Sequence, residues 1–429
     1  MKETFLLKTE NARRLYGEFA ADLPIVDFHN HLSVEDIARD RRFENVGELW
    51  LFSDPYKHRL MRICGVDEYY ITGSSEPFEK FEKFCEVFPR FAGNPVYDWC
   101  RMELSRIFGI DLLPDGKGAR YLYDLCGEKL ASPEFSCRAI LNRFSIAYQS
   151  PVASLLDDLS LFDGKSTAPS LRGDQLLTPT TELKKAISEK AALPIGEDLD
   201  SYIRAVSVLL DRFDEAGCRF ADHALDDGFF QGDTDGHKQK ILIALASEYQ
   251  KRGWTLLLHL DAKRSVGPRL ARLAGPAGGY AAVGGGFDLS SLGSMLGEME
   301  GREGLPDTVL FPLNLGDMAP LSVLQGSFAQ DGVASKVQLG PAWWWCDHAL
   351  GIRHALSCIS SFGLVSEFIG MTTDSRSILS FVRHDYFRRL LCNWLDEQNT
   401  AGEWELSFEA QGEMIRKICF ENAMNHIKK

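Results

Sequence analysis

Apolar and polar positions along this chain repeat with two periods, and the change from one to the other marks its organisation. Ile25, Val26 and Phe28 form a short apolar run around Asp27 that reads as a buried strand, with His29, Asn30 and His31 at its end. Ser33 with Asp36 is a capping-box pattern, which opens a helix directly after that strand. From there to about residue 144 the period is helical, with segments expected at 46–52, 56–65, 77–91, 95–110, 119–130 and 133–144. Phe78, Phe81, Phe84 and Phe88 recur at spacings of three and four, the pattern of a helix face packed into a core. Short β-type runs then return at 144–148, 167–171, 218–221, 255–260, 309–313, 337–342 and 368–373, with clear helical periods at 199–216 and 238–251.

With the strand at residue 25 these runs make eight. Strands alternating with helices imply right-handed crossovers and a parallel sheet. The expected fold class is therefore α/β, a (β/α)8 TIM barrel with a large helical insertion after strand 1; an open doubly wound sheet is the alternative. Residues 1–33 and 144–429 would form the barrel, and 34–143 an insertion packed over its mouth. The glycine-rich stretch 275–286 lacks the G-K-[ST] of a phosphate loop and reads as a flexible surface loop.

Composition narrows the partners. The chain has 429 residues, 45% hydrophobic and 25% charged, which is ordinary globular material with a large core. A net charge of −14 repels nucleic acid and anionic membranes, so an anionic small molecule would need local arginines. No stretch of the chain is apolar enough to span a membrane, and the N-terminal residues carry charges throughout, so a cytoplasmic protein is expected. The ten cysteines show no C-x-x-C and read as reduced thiols. A homo-oligomer is left open.

In a barrel the C-terminal strand ends meet on one face, however distant in sequence. That rule gathers His29 and His31, Arg172, Asp222 and His223, His259, and Asp374 with Arg376. Two histidines at i and i+2 on a strand share a face, and with the carboxylate of Asp374 they suit one divalent ion, zinc being the expected element. Two backbone-bonded histidines would give the same H-x-H, so the carboxylate carries the weight. The arginines fit an anionic group taken in a two-point fork. Asp222 and His223 either join the site or cap a loop.

The chain resembles the uronate (glucuronate) isomerase family of the amidohydrolase superfamily. The matching stretches include Asp27-Phe28-His29-Asn30-His31-Leu32-Ser33, Tyr56-Lys57, Asp222-His223, Ala342-Trp343-Trp344 and Gly370-Met371-Thr372-Thr373-Asp374-Ser375-Arg376-Ser377, continuing into Arg383-His384-Asp385-Tyr386. They run in the family's order from about residue 20 to the end. The resemblance implies an intramolecular oxidoreductase that interconverts a hexuronate with its 2-keto isomer through an enediol, as for D-glucuronate and D-fructuronate or D-galacturonate and D-tagaturonate. It implies a metal site of His29, His31 and Asp374, with Asp374 and Tyr56 catalytic and Arg172, Arg376, His259 and Trp344 around the substrate. The sequence departs from the family pattern at Gln149 and Ser150, where two acids are usual, at Pro55 for a His, at Asp261 for a Gly and at Ala281 for an Asp. These departures bear on substrate identity and turnover. The competing expectations are a metal-dependent hydrolase of a lactone or amide, and a sugar-acid-binding homologue without catalysis.

Overall fold

The computed structural model describes residues 2–275 and 279–428. Nine strands occur among them: β1 Ile25–Asn30, β2 Ile146–Ser154, β3 Ser170–Arg172, β4 Phe220–Leu225, β5 Thr255–Leu260, β6 Ala262–Lys263, β7 Ala282–Val283, β8 Thr308–Pro312 and β9 Val337–Leu339. Seven form one parallel sheet in the order β1-β2-β3-β4-β5-β8-β9, while β6 and β7 pair antiparallel. Every residue of β1, β5 and β8 is buried, as expected of a sheet covered on both faces. The sheet curls: Phe28 of β1 lies 5.6 Å from Phe220 of β4 and 6.4 Å from Phe311 of β8 by ring centroids, although β1 and β8 are far apart in strand order.

The eighth expected strand, 368–373, does not form, so what is seen is a curled seven-stranded parallel sheet. The reason is local. Gly370 at φ +91 and Asp374 at φ +48 break the extended run, and a Cβ at residue 370 would sit 2.1 Å from the Ile418 carbonyl. Side chains replace the missing ladder. Gln338 of β9 accepts from Ile369 N at 2.9 Å, and on the other side the Asp27 carboxylate accepts from Thr373 N at 2.6 Å. Backbone bonds from Asp374 N to His29 O and from His31 N to Ser375 O, 3.1 and 2.8 Å, complete the seam. Segment 369–375 thus bridges both edges of the sheet.

Between β1 and β2 the chain is helical, as its period predicts, with Pro55–Ile63, Pro77–Val87, Pro95–Arg106 and Ala119–Leu130 the longer pieces. The single helix expected over 133–144 is instead a turn at Pro133–Phe135 followed by a helix at Cys137–Asn142, because Ser136 is extended and caps the second piece through Ala139 N. The glycine-rich stretch also differs from expectation: Ala282–Val283 is strand, while 276–278 lie outside the described residues. No helix among the described residues is long and apolar enough to cross a membrane.

Candidate active site

The parallel strands all end on one side, and there a cavity of about 660 Å³ opens. His29, His31, Tyr56, Arg172, His259, Trp344, Asp374 and Arg376 all line it. Asp222 lines it as well, but His223 does not, since neighbouring residues of β4 face opposite ways. His223 is fully buried and its Nε2 sits 2.9 Å from the Tyr249 hydroxyl. The open choice at this pair divides residue by residue: the carboxylate enters the cavity and the imidazole belongs to the core.

Asp374 reaches both strand-end histidines with one oxygen, Oδ1, at 3.3 Å from His29 Nε2 and 3.0 Å from His31 Nε2. Its left-handed backbone, which Asp tolerates better than most residues, turns the side chain back toward β1. Burial would raise its pKa, but the hydrogen bonds from His29 and His31 hold it well below the usual carboxylate range. Burial pushes His31 down to about 4, so its imidazole is neutral near pH 7. Tetrahedral ligands with bonds of about 2.0–2.1 Å stand about 3.3 Å apart, close to the separations found. A second triplet, His29, Asp222 and His259, also brings its donor atoms within 4.8 Å of one another. His29 Nδ1, His259 Nε2 and Asp222 Oδ1 are buried without a hydrogen-bond partner, which is costly unless something else engages them. Burial lifts the Asp222 carboxyl to about 7, the His29 and Arg172 charges opposing and Asp174 assisting.

Tyr56 reaches the cavity from the helix Pro55–Ile63, whose first turn is fixed by Asp54: one carboxylate oxygen accepts from Tyr56 N at 2.9 Å and Lys57 N at 3.1 Å. The other oxygen meets the buried Lys57 ammonium at 2.5 Å. The Tyr56 ring is set edgewise against Trp99 and Trp345, with the Arg383 guanidinium 5.4 Å from its centroid. Its hydroxyl is buried without a partner, and burial drives the phenol far above its ordinary range. Four cations line the cavity. Arg172 pairs with Asp174 at 3.3 Å and Arg264 with Asp226 at 2.7 Å, whereas the side chains of Arg376 and Lys238 make no ion pair among the described residues. Trp344, at φ +48, stacks on Trp345 with centroids 5.0 Å apart.

The sequence departures fall into two groups. Gln149 and Ser150 are buried in β2, bonded to Thr167 Oγ1 and the Ala168 carbonyl, and neither lines the cavity. Pro55 and Ala281 do line it. Asp261, at φ +65, fills a backbone position that favours glycine, and its carboxylate turns to the loop at Gly284 and Gly286. Asp222, left open by the sequence, and Arg264, Lys238, Asp174 and Asp226, which it gave no role, also line the cavity. The signal for Asp222 was its place at a strand end; the others carry no periodic mark of a cavity wall.

A curled parallel sheet that delivers two histidines from its first strand and a carboxylate from its last segment to one enclosed rim defines an α/β protein with a candidate metal centre. The glucuronate isomerase family profile matches residues 1–427. The uronate isomerase of Caldanaerobacter subterraneus subsp. tengcongensis is 35% identical, the alignment covering 100% of this chain and 99% of that protein. That of Salmonella arizonae is 36% identical over 99% and 98%. The crystal structure of uronate isomerase from Thermotoga maritima superposes with a TM-score of 0.90 at 26% identity, over 100% of this chain and 99% of that one. The chain belongs to the glucuronate isomerase family.

Proposed function

We propose that the protein is a metal-assisted aldose-ketose isomerase, interconverting a hexuronate and its 2-keto isomer, as between D-glucuronate and D-fructuronate or D-galacturonate and D-tagaturonate. The observation that carries this is Asp374, an ionised carboxylate fixed between two imidazoles in a cavity that also presents an unpaired guanidinium. Family membership supports it.

Moving the carbonyl from C1 to C2 requires a carbon-bound proton to leave C2 and one to arrive at C1, with an enediol between. Arg376 takes the substrate carboxylate in a bidentate fork, which no acid among the described residues occupies. Both ion pairs of Asp374 use Oδ1, so Oδ2 is the oxygen that accepts the C2 proton and returns it at C1. Asp222, titrating near 7, suits exchange of the hydroxyl proton between O1 and O2. The Tyr56 hydroxyl stays protonated and donates to the oxygen that gains charge, an effect of about 3–4 kcal/mol per donor in comparable sites. Arg172 and His259 border the sugar, and Trp344 offers it an apolar face. A divalent ion, zinc by the donor set, would be held by His29, His31 and Asp374 and would supply positive charge to polarise substrate oxygens.

The fold is best read as a distorted (β/α)8 barrel made by residues 1–33 and 144–429, with segment 369–375 in the place of the eighth strand. Residues 34–143 are then an insertion over its mouth. Tyr56 in the cavity wall and the bond from Arg59 Nη1 to the Ala281 carbonyl at 3.1 Å support this.

Proton NMR of the protein with glucuronate or galacturonate in D2O tests the activity. Deuterium should appear at C2 of the recovered aldose along with ketose signals. Neither exchange nor ketose with either sugar, in protein loaded with zinc, would overturn the proposal.

A further inference from the structure

The proposed reaction concerns one six-carbon acid, and the cavity offers more than such a ligand needs. Pockets of about 300–1,000 Å³ hold drug-sized molecules with most of their surface buried, and a hexuronate is smaller than these. Here about 660 Å³ is open. Pro55 and Ala281, neither with a polar side chain, line its wall.

The charge pattern has two poles. Arg376 stands beside the His29, His31 and Asp374 set. Lys238, from the first turn of the helix His237–Lys251, enters the wall built by the chain after β4. It is half-buried and makes no ion pair among the described residues, although its charge is felt by Asp233, whose carboxylate accepts from the first N–H groups of its helix. Its ammonium sits 6.0 Å from the centroid of the Phe229 ring, which also lines the cavity. In a chain of net charge −14, where Arg172 and Asp174, and Arg264 and Asp226, pair with each other in the same wall and Asp227 pairs with Lys263, a lysine without an ion pair beside an aromatic face is free to meet the charge of a ligand. A sugar ring with a second carboxylate matches both features: its apolar face meets Phe229 and its charge meets Lys238.

We infer that the cavity has an outer subsite for a second sugar acid, so that the protein accepts an acidic disaccharide whose reducing-end uronate occupies the inner site. This rests on the isomerase reading and extends it. The chemistry is conserved: a 4-linked reducing-end uronate still opens to an aldehyde, and the same internal proton transfer turns it into a 2-ketose with the glycosidic bond intact. No water or second reactant enters.

The test uses the zinc-loaded protein with the reducing disaccharides of galacturonate and of glucuronate, and the two monomers, followed by NMR in D2O. At least one disaccharide should show C2 exchange and a ketose end, with kcat/KM within tenfold of its monomer. Lys238→Ala should lower kcat/KM for that disaccharide at least fivefold more than for the monomer, and Lys238→Arg should restore it. Turnover of a monomer while neither disaccharide reacts or inhibits would overturn the outer subsite and leave the isomerase reading standing. Equal effects of Lys238→Ala on monomer and disaccharide would also overturn it. Failure of monomers and disaccharides alike would remove the isomerase reading, and this inference with it.

Discussion

The carboxylate of Asp27 accepts the backbone N–H of Thr373 at 2.6 Å and so ties β1 directly to the segment that carries Asp374. It is fully buried and takes four further donors, the hydroxyls of Thr372 and Thr373, Asn30 Nδ2 and His384 Nε2, at 2.8 to 3.1 Å. Asp27→Ala strands these donors in an apolar interior, and breaking a buried pair of this kind costs about 3–5 kcal/mol. The expected result is a clear fall in the unfolding midpoint together with weaker zinc retention. Denaturant titration and elemental analysis check the two parts; a variant as stable as the parent would mean the seam is held by the backbone bonds alone.

Glu103 predicts a pH dependence. Its carboxylate is buried, with Oε2 unbonded and the Lys57 ammonium 3.9 Å away. Burial raises it to about 7, with Lys57 opposing and Asp54 assisting. A carboxyl that is harder to ionise when folded gives stability that is fully present below the unfolded value of about 4.3 and is lost as pH rises to the folded one. Within that window the loss is about 1.4 kcal/mol per pH unit from this group. Glu103→Gln should remove that slope, so the stability gap between parent and variant should change by about 1.4 kcal/mol between about pH 5.5 and 6.5. A constant gap would place the Glu103 proton elsewhere.

His31→Ala should abolish ion binding while leaving the fold intact. The imidazole is partly accessible, its side chain at 16% exposure, so little packing is lost. Zinc measured after gel filtration should drop to background with an unchanged circular dichroism spectrum. Retained stoichiometric zinc would move the centre to the triplet of His29, Asp222 and His259.

Arg376→Lys keeps the charge and removes the planar fork. Because Arg376 has no carboxylate partner among the described residues, no internal ion pair is broken and the melting temperature should hold. KM for a hexuronate should rise at least tenfold, about 1.4 kcal/mol. Unchanged kinetics would hand the substrate carboxylate to Arg172.

The strand periods, the helical stretch before β2 and the gathering of strand-end residues were legible because each rests on local alternation or on a rule about where parallel strands end. The eighth strand was not, because 368–373 carries the apolar pattern of a strand while its pairing is made by the side chains of Asp27, Thr372 and Gln338. Side-chain substitution for a ladder leaves no periodic trace. Asp27 itself read as an interruption in an apolar run, and only the fold reveals five partners around it. Trp344 and Tyr56 came from family resemblance, since an aromatic in a loop or helix has no periodic mark of a cavity wall. Asp222 and His223 needed the sheet's sidedness, which the fold supplies: β4 pairs in continuous register with β3 and β5, and only Asp222 of the two enters the cavity.

The seam between β1 and segment 369–375 also orders events during synthesis. A ribosome releases His29 and His31 early, and nearly the whole chain must follow before Asp374 leaves the exit tunnel. Until then Asp27 lacks the donors of Thr372 and Thr373, and the two imidazoles lack Asp374. Segment 369–375 brings the Asp27 contacts and the Asp374 carboxylate to β1 together. An ion held by His29, His31 and Asp374 would therefore be chosen only once residue 374 is in place, under whatever metal supply prevails at that moment.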